Sequence, residues 1–295
     1  MTTILCIGDA MIDVIVQMKS SINENSDTLS DISMHGGGAA ANTATWLSHL
    51  GVRTSFAGRI GSDIPGANFK LELEKFGVSH ENQPIAGGKT GTVVVLVDRS
   101  GNRTMFPDSG VNSGLCIADL PSLIGFDGVF LSGYSLFNPA SSDGVVEIIK
   151  SIQALDIPIF FDVASVGTIE AFGRERALSL ITGFAGIFMN DEEANYLTGS
   201  ANHEEQFRLL ENRAELLVIK RGARGVIAKL NGRDFIEKPA RATKVIDTTG
   251  AGDAFAAGFL AAWLNFKDLD GALTQALDVA AQCVATIGAR PRVNP

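Results

Sequence analysis

The sequence predicts an α/β protein: a mostly parallel sheet covered by helices on both faces, with a small β lid inserted into it. From Gly128 onward, short apolar runs alternate regularly with stretches of helical periodicity, a pattern typical of right-handed βαβ units. Two earlier segments, residues 14–35 and 92–106, break that rhythm and have the pattern of hairpin strands. We therefore expect these two segments to pair into a separate small sheet.

The first half of the chain opens with an apolar run at Thr3–Ile7, which predicts a buried strand ending at Gly8. Small and apolar residues from Ala39 to Leu50, stopped by Gly51, predict a helix. The other elements expected here are strands Val14–Met18, Leu29–Met34 and Thr54–Ala57, helix Ala67–Phe76, and hairpin strands Thr92–Val97 and Arg103–Phe106.

The second half contains four strands whose central residues are all apolar, as is typical of strands inside a parallel sheet. These strands are Val129–Leu131, Pro158–Asp162, Gly186–Met189 and Leu216–Lys220. The connecting helices expected are Gly144–Leu155, Glu175–Ile181, Glu192–Leu197 and Glu204–Asn212. A long helix of small and apolar residues, Ala254–Leu264, follows near the end of the chain.

Composition and charge exclude several classes of protein. The 295 residues are 45% hydrophobic and 19% charged, a globular balance that excludes a disordered chain or a coiled coil. The 24 Lys and Arg against 33 Asp and Glu give a net charge of −9, which argues against a nucleic-acid-binding surface. No cysteine pair has metal-ligand spacing, and no apolar run reaches the roughly 18 residues that span a bilayer. We therefore expect a cytoplasmic protein without a membrane or nucleic-acid partner.

The strongest functional signal is the stretch Asp247–Phe255, DTTGAGDAF, which leads into the long helix. A glycine-rich turn at a helix N-terminus favours a negative charge, and Gly250 and Gly252 allow a phosphate to approach the backbone. Asp253 is a poor phosphate ligand, because like charges repel, but it suits a base that takes a proton from an attacking hydroxyl. The alternative is that Asp253 only stabilises the first helical turn, which leaves the glycines and the two threonines unexplained.

A second glycine-rich segment, Gly36–Ala44 (GGGAAANTA), allows a helix to begin directly against a ligand. Asn42 offers both a donor and an acceptor, which suits sugar hydroxyls. The spacing of Gly36, Gly38 and Ala41 also approximates a dinucleotide fingerprint, but the strand before it lies in the expected lid. A simple glycine turn is the remaining alternative.

Together the two segments resemble the paired signatures of the ribokinase-like (PfkB) carbohydrate kinase family, in the family's order and across nearly the whole chain. The resemblance implies a ribokinase-like three-layer α/β/α sandwich with a mostly parallel sheet and a small inserted β lid. Its nucleotide- and substrate-binding core would comprise residues 1–12, 36–88 and 112–295. The lid would comprise residues 13–35 and 89–111.

The same resemblance implies transfer of the γ-phosphoryl group of ATP to a hydroxyl of a sugar or nucleoside. Asp253 would match the catalytic base, while Gly250, Ala251 and Gly252 would form the anion hole that stabilises charge on the moving group. The expected substrates and cofactors are therefore a small sugar, ATP and Mg²⁺.

Substrate binding is expected between the lid and the main sheet. The segment Gly8–Asp13 resembles the family's first strand and turn, whose final aspartate holds substrate hydroxyls. An acid in an exposed turn is the alternative for that residue. The resemblance implies that the sugar is bound by Asp13, Gly37, Gly38 and Asn42.

Nucleotide binding is expected at residues in the second half of the chain. Asn190–Glu193 matches the family's N-x-x-E motif, in which Glu193 would act on Mg²⁺ indirectly, although the same pattern is typical of a helix cap. Lys220–Gly225 follows a buried strand and resembles the family's nucleotide-binding turn. The residues implied are Asn190, Lys220, Gly222, Gly225 and Asp278.

Several points stay open at this stage. Asp247 and Thr249 match positions associated with a monovalent cation such as K⁺ in ribokinases. The stretch Asp162–Val166 lacks the arginine that sugar-acid kinases of the family often carry, which argues against a sugar acid. A nucleoside kinase and a catalytically idle sugar- or nucleotide-binding sensor are the alternatives. Homodimerisation through the lid is common among relatives, because exposed sheet edges pair readily.

Overall fold

The computed structural model describes residues 2–292, in which the chain forms two sheets and the helices that cover the larger one. The strands are β1 (Thr3–Ile7), β2 (Met11–Met18), β3 (Ser30–Gly37), β4 (Arg53–Ala57), β5 (Gly91–Val97), β6 (Arg103–Asp108), β7 (Gly128–Ser132), β8 (Ile159–Asp162), β9 (Phe184–Asn190), β10 (Ala214–Lys220), β11 (Val226–Leu230) and β12 (Ile236–Lys238). The helices are α1 (Ala39–His49), α2 (Ile64–Lys75), α3 (Gly133–Leu136), α4 (Ser142–Gln153), α5 (Val166–Phe172), α6 (Arg174–Leu180), α7 (Asp191–Thr198), α8 (His203–Leu210), α9 (Ala251–Phe266) and α10 (Leu269–Val284).

The large sheet has the strand order β12-β11-β10-β9-β8-β7-β1-β4. Its six strands from β4 to β10 run parallel, and β11 and β12 extend one edge in the antiparallel direction. This arrangement confirms the predicted mostly parallel sheet. The sequence pattern gave no prediction for β11 and β12, which follow β10 after a short turn.

Helices cover the large sheet on both faces, which gives three layers. Within β1, Ile4 and Cys6 point into an apolar layer shared with α1, α2, α9 and α10. Leu5 and Ile7 point the other way, into a layer shared with α4 to α8. Burying both faces of the strands explains why their central residues are apolar without alternation.

The small sheet has the strand order β3-β2-β5-β6 and comes from the two segments that interrupted the βα alternation. Its register places Asp13, His35 and Arg103 on the face that is turned towards the large sheet. On the opposite face, Ile32 and Phe106 are 67% and 55% exposed. The small sheet therefore has an apolar outer face, whereas its inner face carries these three polar side chains beside apolar ones such as Val95 and Met105.

Three element boundaries differ from the prediction in ways that affect the site. β2 begins at Met11, so Asp13 lies inside a strand rather than in a turn. α9 begins at Ala251 rather than Ala254, and the glycine-rich segment therefore forms its first turn. α2 begins at Ile64 because Asp63 caps it by accepting a hydrogen bond from the Gly66 amide. Among residues 2–292, none of the helices has the length and apolarity needed to cross a membrane.

Candidate active site

Polar side chains gather where three neighbouring parallel strands end. β8 ends at Asp162, β9 at Asn190 and β10 at Lys220, and the last two are paired across the sheet. In open parallel sheets, the crevice outside the carboxyl ends of the strands is the usual place for a ligand. The sequence motifs at Asn190 and Lys220 are therefore brought together by the fold.

The N-terminus of α9 faces the same crevice. Gly250 precedes the helix in a left-handed conformation (φ 75°), and a Cβ atom on it would lie 2.5 Å from the Cβ of Ala289. Only glycine fits both restrictions. Ala251, Gly252 and Asp253 form the first turn. The Ala251 amide donates to the Thr248 carbonyl over 3.3 Å, while the amides of Gly252 and Asp253 have no acceptor inside the helix. This end of α9 can therefore donate hydrogen bonds to an anion.

The two glycine-rich segments meet at Asp253. The side-chain amide of Asn42, in the first turn of α1, donates to the Asp253 carboxylate over 2.9 Å. Gly38 caps α1 with φ 90°, and a Cβ there would lie 2.0 Å from the Asp9 carbonyl oxygen. The predicted substrate-binding and catalytic residues thus form one cluster.

Sequence reasoning missed the role of Arg290, whose guanidinium is buried behind Asn42. Its Nε donates to Asn42 Oδ1 over 3.1 Å, and its Nη2 donates to the Gly37 carbonyl over 3.1 Å. Its Nη1 lies 3.0 Å from a carboxylate oxygen of Glu72. Because Arg290 donates to the amide oxygen of Asn42, the side-chain NH₂ group of Asn42 faces Asp253. The available signal was an arginine in the closing loop of the chain, at Gly288–Pro291.

Burial raises the pKa of Asp253 to about 7, while the hydrogen bond from Asn42 acts in the opposite direction. The nearby Asp162 carboxylate also raises this pKa, and the Lys220 ammonium lowers it. A carboxylate that titrates near neutral pH is suited to accept a proton and release it again.

Lys220 supplies a positive charge beside the first turn of α9. Its ammonium lies 2.6 Å from Asp162 Oδ2 and 3.2 Å from the position that a Cβ on Gly252 would take. Although burial alone favours the neutral amine, the Asp162 and Glu193 carboxylates hold the pKa of Lys220 above its usual value. The group therefore stays charged next to the candidate anion-binding turn.

Asn190 and Glu193 form a capping box at the start of α7, as the alternative interpretation predicted. Asn190 Oδ1 accepts from the Glu193 amide over 2.8 Å, and Glu193 Oε2 accepts from the Asn190 amide over 2.8 Å. Burial raises the pKa of Glu193. The cap holds this carboxylate rigidly near Lys220, so capping and a role towards Mg²⁺ are compatible.

Glu193 and its neighbours could bind a magnesium ion only if a bound nucleotide supplied further oxygen ligands. Within residues 2–292, no group of three or more His, Cys, Asp or Glu side chains is arranged to hold a metal by itself. Mg²⁺ commonly binds through one or two carboxylates, water molecules and the phosphates of its substrate. The carboxylate of Glu193 suits that mode.

Asp13 lies against the start of α1. A Cβ atom on Gly37 would be 2.3 Å from Asp13 Oδ1, so glycine allows the carboxylate to sit on the backbone. Burial raises the pKa of Asp13 to about 6, although the Arg290 and His35 charges act in the opposite direction. The structure thus groups Asp13, Gly37 and Asn42 at one end of the cleft.

The remaining nucleotide candidates occupy the turn after β10 and helix α10. Gly222 and Gly225 have φ values of 55° and 90° in that turn. Asp278 on α10 forms a surface ion pair with Arg241 at 2.5 Å. These residues make no hydrogen bond to the cluster around Asp253 in the described part of the chain, and their roles stay predictions.

Asp247 and Thr249, which are expected to hold a monovalent cation, accept hydrogen bonds from Arg103 of the small sheet. Arg103 Nη2 lies 2.5 Å from Asp247 Oδ1, and Nη1 donates to the Thr249 hydroxyl. Although burial alone raises the pKa of Asp247, hydrogen bonds from the Gly288 and Thr249 amides help to lower it to about 2. A fully ionised carboxylate therefore faces the guanidinium.

The sequence is similar over its whole length to a known protein family. A model described as pfkB family carbohydrate kinase matches residues 1–295. The chain is 32% identical over 250 residues to an uncharacterized sugar kinase of Archaeoglobus fulgidus, covering 83% of this chain and 96% of that one. It is 28% identical over 257 residues to a fructosamine kinase of Bacillus subtilis, covering 86% and 85% of the two chains.

Solved structures share the whole architecture. An adenosine kinase from Sinorhizobium meliloti superposes with a TM-score of 0.89 at 23% identity, over 99% of this chain and 96% of that one. A ribokinase from Thermotoga maritima superposes with a TM-score of 0.80 at 19% identity, over 98% and 94% of the two chains. At these identities the structures show the fold alone, and they confirm the ribokinase-like fold.

Proposed function

This chain belongs to the pfkB family of carbohydrate kinases, a family of phosphotransferases, and we propose that it transfers the γ-phosphoryl group of ATP to a hydroxyl of a small sugar. The observation that carries the proposal is the hydrogen bond from Asn42 to Asp253. It joins a group suited to sugar hydroxyls to a carboxylate suited to removing a proton from one of them. A protein that only senses a sugar has no use for this second group.

In the proposed mechanism, Asp253 accepts the proton of the attacking hydroxyl. The hydroxyl oxygen forms a bond to the γ-phosphorus while the bond between that phosphorus and ADP breaks. Asn42 holds the carboxylate in place, and Asp13 accepts hydrogen bonds from other hydroxyls of the sugar. Most of the acceleration comes from this positioning.

Charge on the moving phosphoryl group is stabilised by the first turn of α9, Gly250 to Gly252, and by the neighbouring Lys220 ammonium. Both donors are fixed before the reaction, which is the condition for effective electrostatic stabilisation. Bound Mg²⁺ would neutralise phosphate charge, and Glu193 and the nucleotide phosphates would bind the ion. Asn190, Gly222, Gly225 and Asp278 are the proposed contacts along the rest of the nucleotide.

The small sheet is proposed to act as the lid, formed by residues 13–35 and 89–111 and resting on the core. Support comes from its inner face, where Asp13 reaches the cleft and Arg103 contacts the turn before α9. Closure would exclude water, which otherwise competes with the sugar for the phosphoryl group.

A nucleoside is the second candidate acceptor. Tyr134 is 39% exposed and lies close enough to Asp253 and Asp162 for their charges to raise its pKa, after the larger effect of burial. An aromatic ring at this position can stack on a base. A sugar acid is disfavoured, because the Asp162–Val166 segment offers no arginine and Lys220 is already paired with Asp162.

We also propose that two copies of the chain associate through the outer face of the small sheet. Ile32 and Met34 on β3 are 67% and 59% exposed, and Phe106 on β6 is 55% exposed. The register places all three on the face turned away from the core. A contiguous exposed apolar surface of this kind is typical of an interaction site.

The test is acceptor-dependent release of ADP, measured with ATP and Mg²⁺ against a panel of sugars, sugar acids and nucleosides. The proposal predicts release with at least one neutral sugar, well above the rate without acceptor. Release only with a nucleoside would favour the second candidate. A folded protein that binds ATP but releases no ADP with any acceptor would contradict both and favour the idle sensor.

A further inference from the structure

The residues expected to hold a monovalent cation do not fit one in this chain. Asp247 Oδ1 accepts hydrogen bonds from the Thr249 amide and the Thr249 hydroxyl at 2.9 and 2.7 Å, as well as from Arg103. Asp247 Oδ2 accepts from the Gly288 amide at 3.0 Å. K⁺ needs several oxygen ligands that are free to face it, and here both carboxylate oxygens already have donors.

The group that faces these oxygens is itself a cation. Arg103 donates through Nη2 to Asp247 and through Nη1 to Thr249, so one guanidinium bridges both residues. Its side chain is 30% exposed and that of Asp247 is 10% exposed, so the pair is only partly screened by water. A guanidinium is charged at every physiological pH and bonds in a fixed geometry.

The position of this pair connects two parts of the molecule. Thr249 immediately precedes Gly250, so the bridge fixes the backbone that leads into the first turn of α9. Arg103 begins β6, on the inner face of the small sheet, and lies 144 residues from Asp247 along the chain. The Arg103 guanidinium therefore contacts the turn of Asp247 and Thr249 only when the small sheet rests on the core.

We propose that Arg103 takes the place of a monovalent cation, so that phosphoryl transfer in this chain does not depend on K⁺. Arg103 is a positioning residue in this account: it orders the turn of Asp247 and Thr249 when the small sheet closes, and it makes no contact with the reacting atoms. The inference rests on the proposed function for its kinetic readout, but its binding readout is independent of catalysis.

The test compares the wild type with Arg103→Met, which keeps an unbranched apolar side chain but removes the guanidinium and its charge. Activity is measured in K⁺, Na⁺ and tetramethylammonium chlorides at equal ionic strength. The wild type should change less than twofold between salts. Arg103→Met should lose about tenfold or more in kcat in tetramethylammonium and recover several-fold in K⁺, because the vacated oxygens can then bind the ion. Arg99→Met, at an exposed site in the same hairpin, is the matched control and should behave like the wild type.

A second measurement separates this inference from the proposed function. Thermal denaturation without substrates should show that K⁺, relative to tetramethylammonium, raises the Tm of Arg103→Met but not that of the wild type or Arg99→Met. If no acceptor is phosphorylated but this pattern holds, the proposed function fails and the charge replacement stands. Activation or stabilisation of the wild type by K⁺, or an Arg103→Met variant with wild-type kcat in tetramethylammonium, would overturn the inference.

Discussion

The side-chain amide of Asn42 donates a hydrogen bond to the carboxylate of Asp253 over 2.9 Å, across 211 residues of sequence. Each residue lies in the first turn of a helix that a glycine precedes, and the two helices, α1 and α9, pack side by side. One contact thus links the segment suited to a sugar with the segment suited to a phosphate. The chemistry proposed for this chain depends on that contact.

The pH dependence of the reaction should follow the ionisation of Asp253. The pKa of this carboxyl is raised to about 7, chiefly by burial, and the base must be deprotonated to act. We expect kcat/KM to rise with pH through about 7 and to level off above it. The measurement is a pH–rate profile with saturating ATP and Mg²⁺.

Glu193 is the control for that profile, because burial raises its pKa as well. Glu193→Gln should lower the rate but leave the midpoint of the profile in place. A profile that is flat between pH 6 and 9, or a midpoint that disappears in Glu193→Gln, would assign the titration to another group.

Arg290→Met should impair catalysis through Asn42. Without the guanidinium, nothing fixes the amide oxygen of Asn42, so the group that orients Asp253 becomes free to rotate. We expect the KM for the sugar to rise and kcat to fall by about tenfold or more, with the KM for ATP unchanged. Steady-state kinetics on protein shown to be folded by circular dichroism provide the measurement.

Glu72→Gln is the matched control for Arg290→Met, since it removes the charge of the other partner but leaves Arg290 in place. Its kinetic constants should stay within about threefold of the wild type. Equal effects of the two substitutions would mean that Arg290 acts only by stabilising the fold.

Gly252→Ala should separate stability from activity. Alanine favours a helix over glycine by about 1 kcal/mol, so the Tm should stay constant or rise. The added Cβ would lie 3.2 Å from the Lys220 ammonium and displace that charge from the first turn of α9. We expect kcat to fall about tenfold. Gly167→Ala, in α5 with open space around it, is the control and should retain full activity.

The outer face of the small sheet should control the oligomeric state. Light scattering during size-exclusion chromatography should give the wild type twice the 31.1 kDa mass of one chain. Ile32→Lys combined with Met34→Lys should give the single-chain mass, because two charges would be buried at the interface. Met105→Lys, on the inner face, should remain dimeric. A monomeric wild type, or a double variant that stays dimeric, would contradict the proposed interface.

Local patterns in the sequence were enough to predict the framework of this molecule. The apolar runs that became β7 to β10 predicted a parallel sheet because strands buried on both faces tolerate few polar residues. The edge strands β11 and β12 were not predicted: β12 has only three residues and is at most half-buried, and β11 follows β10 after a turn too short to separate two apolar runs clearly. For Gly222 and Gly225, in the turn between β10 and β11, the sequence motif predicts only a role in nucleotide binding.

The contacts that complete the site cannot be predicted from local sequence patterns. Arg290 reaches Asn42 across 248 residues, and Arg103 reaches Asp247 across 144. Neither arginine has a local spacing that indicates its partner, because both pairings arise only when distant elements pack together. The sequence motif contains Asp247 and Thr249 but not Arg103, so it predicts a bound cation where the structure places a guanidinium.

The central claim, that Asp253 is the base, is tested most directly by one measurement. It is the single-turnover rate of phosphoryl transfer by Asp253→Asn, with Asp156→Asn as an exposed isosteric control. The account predicts that the variant binds ATP and sugar within about threefold of the wild type but transfers the phosphoryl group at least about 1,000-fold more slowly. A variant that transfers it within about tenfold of the wild-type rate would contradict the account.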